Sequence, residues 1–118
     1  MLKGYYIFHS NDTGYALAPH YGWIEIDPNL GGDGTNLNFT DWGNGEPTSQ
    51  SSKHIDLPFP VRFYGIEYNQ ITVAADGYLS FGNHEVASHR NYPIPGAGGP
   101  SPMVAPFWDD LKTGSSGY

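Results

Sequence analysis

The chain has 118 residues, with 16 glycines, 10 prolines, 9 tyrosines, 6 phenylalanines, 3 tryptophans, no cysteine and a net charge of −7. This length fits one domain. The negative charge argues against nucleic acid or an anionic membrane surface as a partner. Because the chain has no cysteine, it can form no disulfide and has no thiol for catalysis. Many glycines, prolines and aromatic residues with few charges favour short strands joined by turns.

The first half of the chain predicts few elements. Residues 5–8 (YYIF) and 23–26 (WIEI) are rich in aromatic and β-branched side chains, which is typical of strands. A long loop then begins at Asp27-Pro28, a pair that favours a turn. Within that loop, residues 35–40 (TNLNFT) alternate polar and apolar side chains, which predicts a further short strand.

The second half predicts a denser set of strands. They cover residues 54–57, 61–65, 70–75, 78–81 and, as a buried strand or corner, 103–108. Pro58 and Pro60 mark the edge of a sheet, because proline cannot donate to a central ladder. Asp76-Gly77 predicts a hairpin with a two-residue type I′ turn.

Together these elements predict an all-β fold. The expected architecture is an antiparallel β-sandwich or jelly roll over residues 1–111, with residues 112–118 as a flexible tail. No helix of normal length with proper caps can be drawn anywhere in the sequence.

The order of several motifs resembles that of a known group of domains. The motifs are LPFPVRFYG at 57–65, ITVAADGYLSFG at 71–82, NYPIP at 91–95 and VAPFWDDL at 104–111, preceded by shorter matches from residue 4 to residue 27. They resemble β-rich domains of large bacterial secreted and cell-surface proteins, some of which accompany gingipain-like peptidases and carry C-terminal sorting signals. More distantly, they resemble nidogen-type extracellular domains.

The resemblance implies an accessory role outside the cell or at its surface. Relatives have Asn where this chain has Asp76, and both residues accept the positive φ of a turn. Relatives also continue into further aromatic strands after the motif that ends at Leu111, so we expect a sandwich that lacks its last strands. A sheet edge left open in this way favours a homodimer.

Two groups of residues suggest metal binding. Asp27, Asn29 and Asp33 offer oxygen ligands on a glycine-rich turn, as calcium prefers, although the EF-hand spacing is missing and ordinary turn chemistry is the alternative. His84 and His89, with Glu85, could form a transition-metal site, with solvated loop histidines as the alternative. No other cofactor is expected.

Aromatic side chains are the remaining candidates for binding. Trp42 lies in the long polar loop, flanked by Asp41 and Asn44, as an aromatic residue that stacks on a sugar ring beside hydrogen-bonding neighbours would. Tyr21, Tyr78 and Tyr92 are its candidate companions. Trp23 and Trp108 are expected to fill the core or to cover sheet edges. Asp109 and Asp110 are adjacent on an extended segment and point to opposite faces, so we expect them to bond turn amides rather than share a substrate.

No residues of this sequence are predicted to be catalytic. The favoured function is a non-catalytic extracellular binding or spacer module of a secreted bacterial protein that contacts carbohydrate or another protein. The alternative is a small metal-dependent or carboxylate-based enzyme that acts on polysaccharide, because the pairing of carboxylates in such enzymes is spatial and leaves no sequence motif.

Overall fold

A computed structural model of the chain describes residues 5–43, 51–84, 90–94 and 102–113. The chain divides into two compact units, Met1–Asn36 and Leu37–Tyr118, and each has its own architecture. The predicted limits of one domain over 1–111 and a tail from 112 stay a prediction. Within that predicted tail, Thr113 forms a β-bridge with Asp41.

The second unit contains one antiparallel sheet. Its strands are β1 (Ser52–Phe63), β2 (Ile66–Ala74), β3 (Tyr78–Phe81) and β4 (Met103–Val104), in the order β1-β2-β3-β4. The all-β prediction is therefore confirmed, whereas the second layer of a sandwich stays a prediction. The strands predicted at 54–57 and 61–65 form one long strand, and the strand predicted at 103–108 is only two residues long.

β1 lies at an edge of the sheet, as its prolines predict. Its register with β2 shifts between Asp56 and Val61, and Pro58 and Pro60 lie within this irregular stretch. Because proline has no N–H to give to a ladder, it is tolerated at a bulge on an edge strand.

The hairpin between β2 and β3 differs in its turn from the prediction. Ala74 pairs with Tyr78, so the loop has three residues, and only Gly77 has a positive φ, of 79°. The N–H of Gly77 donates to the carbonyl of Ala74 at 3.2 Å. A tight turn followed by a left-handed glycine is the usual form of a three-residue hairpin loop, and the predicted type I′ turn is wrong.

The hydrophobic cluster around Trp108 lies on one face of this sheet. Thr72, Ala74, Tyr78 and Ser80 are buried there, and they alternate with half-buried neighbours. Ala74 and Tyr78 cluster with Trp108, and Met103 and Ala105 pack against this cluster. The rings of Tyr78 and Trp108 lie 5.4 Å apart. Trp108 is therefore in the core as expected, whereas the neighbouring Phe107 is exposed.

The first unit has no strand in its described residues, 5–36. The strands predicted at 5–8 and 23–26 do not form, and neither does the one predicted at 35–40. Its one regular element is a 3₁₀ turn at Pro28–Leu30, which Asp27 caps at the start and Gly31 ends with a φ of 88°. Trp23 is 74% exposed, so it does not fill the core, which was one of its two expected places.

Candidate binding site

Trp42 lies at the tip of a turn that two hydrogen-bonded neighbours hold in place. The N–H of Gly43 donates to the Asp41 carboxylate at 2.8 Å, and Gly43 has a positive φ of 66°. This bond is an Asx turn, which asparagine and aspartate form readily because the side chain reaches the backbone two residues on. The turn leaves Trp42 59% exposed while Asp41 is buried.

The same turn is tied to the far end of the described chain by Thr113. The N–H of Asp41 donates to the Thr113 hydroxyl at 2.7 Å, and the N–H of Thr113 donates to the Asp41 carbonyl at 3.0 Å. The Thr113 hydroxyl donates in turn to the carbonyl of Phe39 at 3.2 Å. Trp42 is thus an exposed aromatic ring on a backbone that is fixed on both sides.

The other predicted aromatic residues each have surroundings of their own. Tyr78 is 3% exposed and packs against Trp108, so its predicted role in ligand binding is replaced by one in the core. Tyr92 is partly exposed, and its hydroxyl accepts a hydrogen bond from Arg90 at 3.4 Å. Tyr21 belongs to the first unit.

Tyr21 lines a cleft of the first unit. The cleft has a volume of about 710 Å³, and its wall includes Phe8, His9, Tyr15 and His20. His9 is fixed by its neighbours: its N–H donates to the Asp12 carboxylate at 2.9 Å, and its Nδ1 accepts from the N–H of Asn11 at 3.2 Å. This cleft of aromatic and imidazole groups is a second place where a small polar ligand could fit.

The residues of the candidate calcium loop bond to one another. Asp27 Oδ1 accepts from the N–H of Asn29 at 2.8 Å and from its side-chain amide at 3.0 Å, while Asp33 is exposed. Among the described residues, no three His, Asp or Glu side chains are grouped so that they could hold a metal ion. Calcium binding by this loop stays a prediction. Glu85 and His89 lie outside the described residues.

The Glu25 carboxylate bonds to Asp27, the first residue of the candidate calcium loop. The carboxylate accepts from the N–H of Asp27 at 2.8 Å and from the indole N–H of Trp23 at 3.4 Å. The hydrogen bond from the Asp27 backbone holds the pKa of the Glu25 carboxyl below its usual value. The N–H of Asp27 therefore bonds preferentially to the ionised form of Glu25.

A polar cluster surrounds Thr72, and no motif of the sequence predicts it. The Thr72 hydroxyl donates to the carbonyl of Gly82 at 2.9 Å, accepts from the N–H of His84 at 3.1 Å and lies 2.9 Å from His54 Nδ1. A hydroxyl has one proton, so His54 Nδ1 must carry a hydrogen and donate. His54 therefore acts as a donor here and does not take a proton from Thr72.

Asp109 and Asp110 do not share a site. The Asp109 carboxylate accepts from the N–H of Asp110 at 2.8 Å, as expected for Asp109, whereas the bond expected of the Asp110 carboxylate stays a prediction. The N–H of Asp109 donates to the carbonyl of Asp76 at 3.2 Å. This segment thus fastens the turn between β2 and β3.

Comparisons with known proteins give one match. A family model described as NIDO related matches residues 30–118. No curated protein and no solved structure matches the chain significantly. Within the part of the chain that the structure describes, no helix has the length and apolar character needed to cross a bilayer.

Proposed function

This chain belongs to the NIDO-related family, and from that membership we propose that it is a non-catalytic extracellular module that binds carbohydrate through Trp42. Domains of this family are typically extracellular. The order of the motifs between residues 57 and 111 supports a secreted bacterial protein as the parent.

The exposure of Trp42 on a fixed turn carries this proposal. Trp42 is 59% exposed, so apolar surface of its indole ring is left in contact with water. The flat face of the ring is the kind of surface against which a sugar ring stacks. Because main-chain bonds to Asp41 and Thr113 hold the turn, binding requires little ordering of the backbone.

The test is binding to a panel of insoluble and soluble glycans, with Trp42→Ala as the variant. Trp23→Ala is the matched control, because Trp23 is also an exposed tryptophan. We expect Trp42→Ala to weaken binding about tenfold, the loss of roughly 1.4 kcal/mol of stacking, and Trp23→Ala to leave it unchanged. Both variants should keep the wild-type melting temperature.

The same samples separate binding from catalysis. Glycan captured without release of new reducing ends supports the proposal. Release of reducing ends in proportion to time and protein concentration would overturn it in favour of a polysaccharide-cleaving enzyme. Equal binding by the wild type and Trp42→Ala would show that Trp42 is not part of the binding site.

A further inference from the structure

Two clefts of the first unit share three of their lining residues. One is the cleft that Tyr21 lines, with a volume of about 710 Å³. The other has a volume of about 570 Å³ and includes Leu17 in its wall. Phe8, Asp12 and Tyr15 line both of them. A ligand bound in either cleft therefore lies against a wall that contains two aromatic rings and a carboxylate.

The two shared rings form an aromatic corner. The ring centroids of Phe8 and Tyr15 lie 6.4 Å apart, and the ring planes are inclined at 60°. Phe8 is half-buried, whereas Tyr15 is 67% exposed, so ring surface is left open to a ligand. The face of an aromatic ring carries partial negative charge, and it attracts a cation that lies within about 6 Å of the ring centre.

The carboxylate of Asp12 is held in place by His9 and keeps its charge. Asp12 Oδ2 accepts from the backbone N–H of His9 at 2.9 Å and lies 3.5 Å from His9 Nε2. His9 Nδ1 accepts from the N–H of Asn11 at 3.2 Å, so this nitrogen carries no hydrogen and the imidazole is in its neutral form. Among the described residues no hydrogen bond goes to Asp12 Oδ1, which leaves this oxygen to a ligand.

The described part of the first unit contains no lysine or arginine that could pair with Asp12. Residues 5–36 have four carboxylates, those of Asp12, Glu25, Asp27 and Asp33, and the whole chain has a net charge of −7. Such a balance of charge attracts cations and repels anions. It therefore favours a positively charged ligand at the aromatic corner.

We propose that Phe8, Tyr15 and Asp12 bind a small organic cation that carries an alkylated ammonium group. Such a group spreads its charge over methyl groups that pack against ring faces, and aromatic walls are the usual way in which proteins bind it. A bare ammonium is strongly hydrated and has three donors to satisfy. Binding of the alkylated cation does not require carbohydrate binding by Trp42.

The test compares choline with its neutral analogue, in which a carbon atom replaces the positively charged nitrogen. The two molecules have nearly the same shape, so a difference in affinity reports the charge. Titration of the full chain, followed by the nuclear magnetic resonance signals of the Phe8 and Tyr15 rings, gives both dissociation constants. We expect choline to bind about tenfold more tightly, because the analogue gains neither the attraction of the rings nor the pairing with Asp12.

Variants separate the carboxylate from the rings. Asp12→Asn should reduce the preference for choline to about threefold, because asparagine keeps an oxygen for the N–H of His9 but has no charge. Tyr15→Leu should also reduce it to about threefold, whereas Tyr15→Phe should keep it because the ring is retained. Asp33→Asn is the matched control and should keep the preference, since Asp33 is an exposed carboxylate of the same unit that lines neither cleft.

Three results would overturn the proposed cation site. They are the absence of choline binding, equal affinity of the wild-type protein for choline and its analogue, and a full preference in both Asp12→Asn and Tyr15→Leu. An equal loss of preference in Asp33→Asn and Asp12→Asn would also overturn it, because the preference would then follow the charge of the whole unit. Glycan binding, which Trp42→Ala tests separately, is unaffected by any of these results.

Discussion

The carbonyl oxygen of Phe107 occupies the space that a β-carbon on Gly77 would need. The N–H of Phe107 also donates to the carbonyl of Gly77 at 3.3 Å. Two of the motifs that carry the family resemblance, the one with the hairpin glycine and the one with the Phe-Trp-Asp-Asp segment, therefore meet backbone to backbone. This contact positions Trp108 against Tyr78 and so connects the turn to the core.

Gly77→Ala should destabilise the protein by at least about 3 kcal/mol in urea unfolding. A side chain at a φ of 79° costs about 1 kcal/mol, and the collision with Phe107 adds about 2 kcal/mol. Gly65→Ala is the control, because Gly65 has a φ of 84° but nothing within 4 Å of the new carbon, so it should cost about 1 kcal/mol. Equal costs for the two variants would show that the Phe107 contact is unimportant.

Thr72→Val should lower the free energy of unfolding by about 2–3 kcal/mol. The substitution keeps the shape of the side chain but leaves the carbonyl of Gly82 and the N–H of His84 without their bonds. Differential scanning calorimetry at neutral pH measures the loss. A cost below about 0.5 kcal/mol would mean that water replaces the hydroxyl freely.

Ser80→Ala should have the opposite sign, raising the free energy of unfolding by up to about 1 kcal/mol. Ser80 pairs with Thr72 across the strands and is buried, but its hydroxyl has no hydrogen-bond partner in the described parts of the chain. Removing a buried polar group without a partner removes its desolvation cost. Chemical denaturation of Thr72→Val and Ser80→Ala under one set of conditions compares their free energies of unfolding. A lower free energy of unfolding in Ser80→Ala would indicate that the Ser80 hydroxyl bonds to a buried water.

The sheet is the part of the fold that the sequence predicts well. Residues 78–81 form β3 with the predicted bounds, because aromatic and β-branched residues after a turn signal have a strand beside them to pair with. The predicted length of the turn is wrong, and the segment that this turn contacts, at Phe107, lies thirty residues further along the chain, where no local pattern reports it. Residues 5–8 have equally strong propensity but form no strand, since propensity does not supply a neighbour.

The candidate site, like the fold, is predictable from the sequence only in part. The exposure of Trp42 follows from its polar surroundings in the sequence and was predicted, whereas the burial of Tyr78 follows from its register in β3. The bridge between Asp41 and Thr113 and the hydrogen bond between His54 and Thr72 join residues that are distant in sequence. The second also depends on the β1 register, which shifts at Pro58 and Pro60, and no local pattern predicts such a register.

Trp108→Ala should destabilise the protein by about 3–5 kcal/mol, because it leaves a cavity against Tyr78 and Ala74. Trp23→Ala should stay within about 0.5 kcal/mol of the wild type, since Trp23 is mostly exposed. Thermal unfolding followed by near-ultraviolet circular dichroism reports both. If Trp23→Ala were the more damaging variant, the assignment of the core to the sheet of the second unit would be wrong.

Glu25 should titrate with a midpoint below 4.5, because the N–H of Asp27 bonds to its ionised form and lowers its pKa. A pKa that is lower in the folded chain stabilises the loop at pH values above the unfolded pKa, and this stabilisation is lost as the pH falls through the folded pKa. Nuclear magnetic resonance of the Glu25 carboxyl carbon measures the midpoint, and the Trp23 indole N–H signal should move with it. In Glu25→Gln that movement of the indole signal should disappear, whereas a Glu25 midpoint at or above 4.5 would contradict the bond to Asp27.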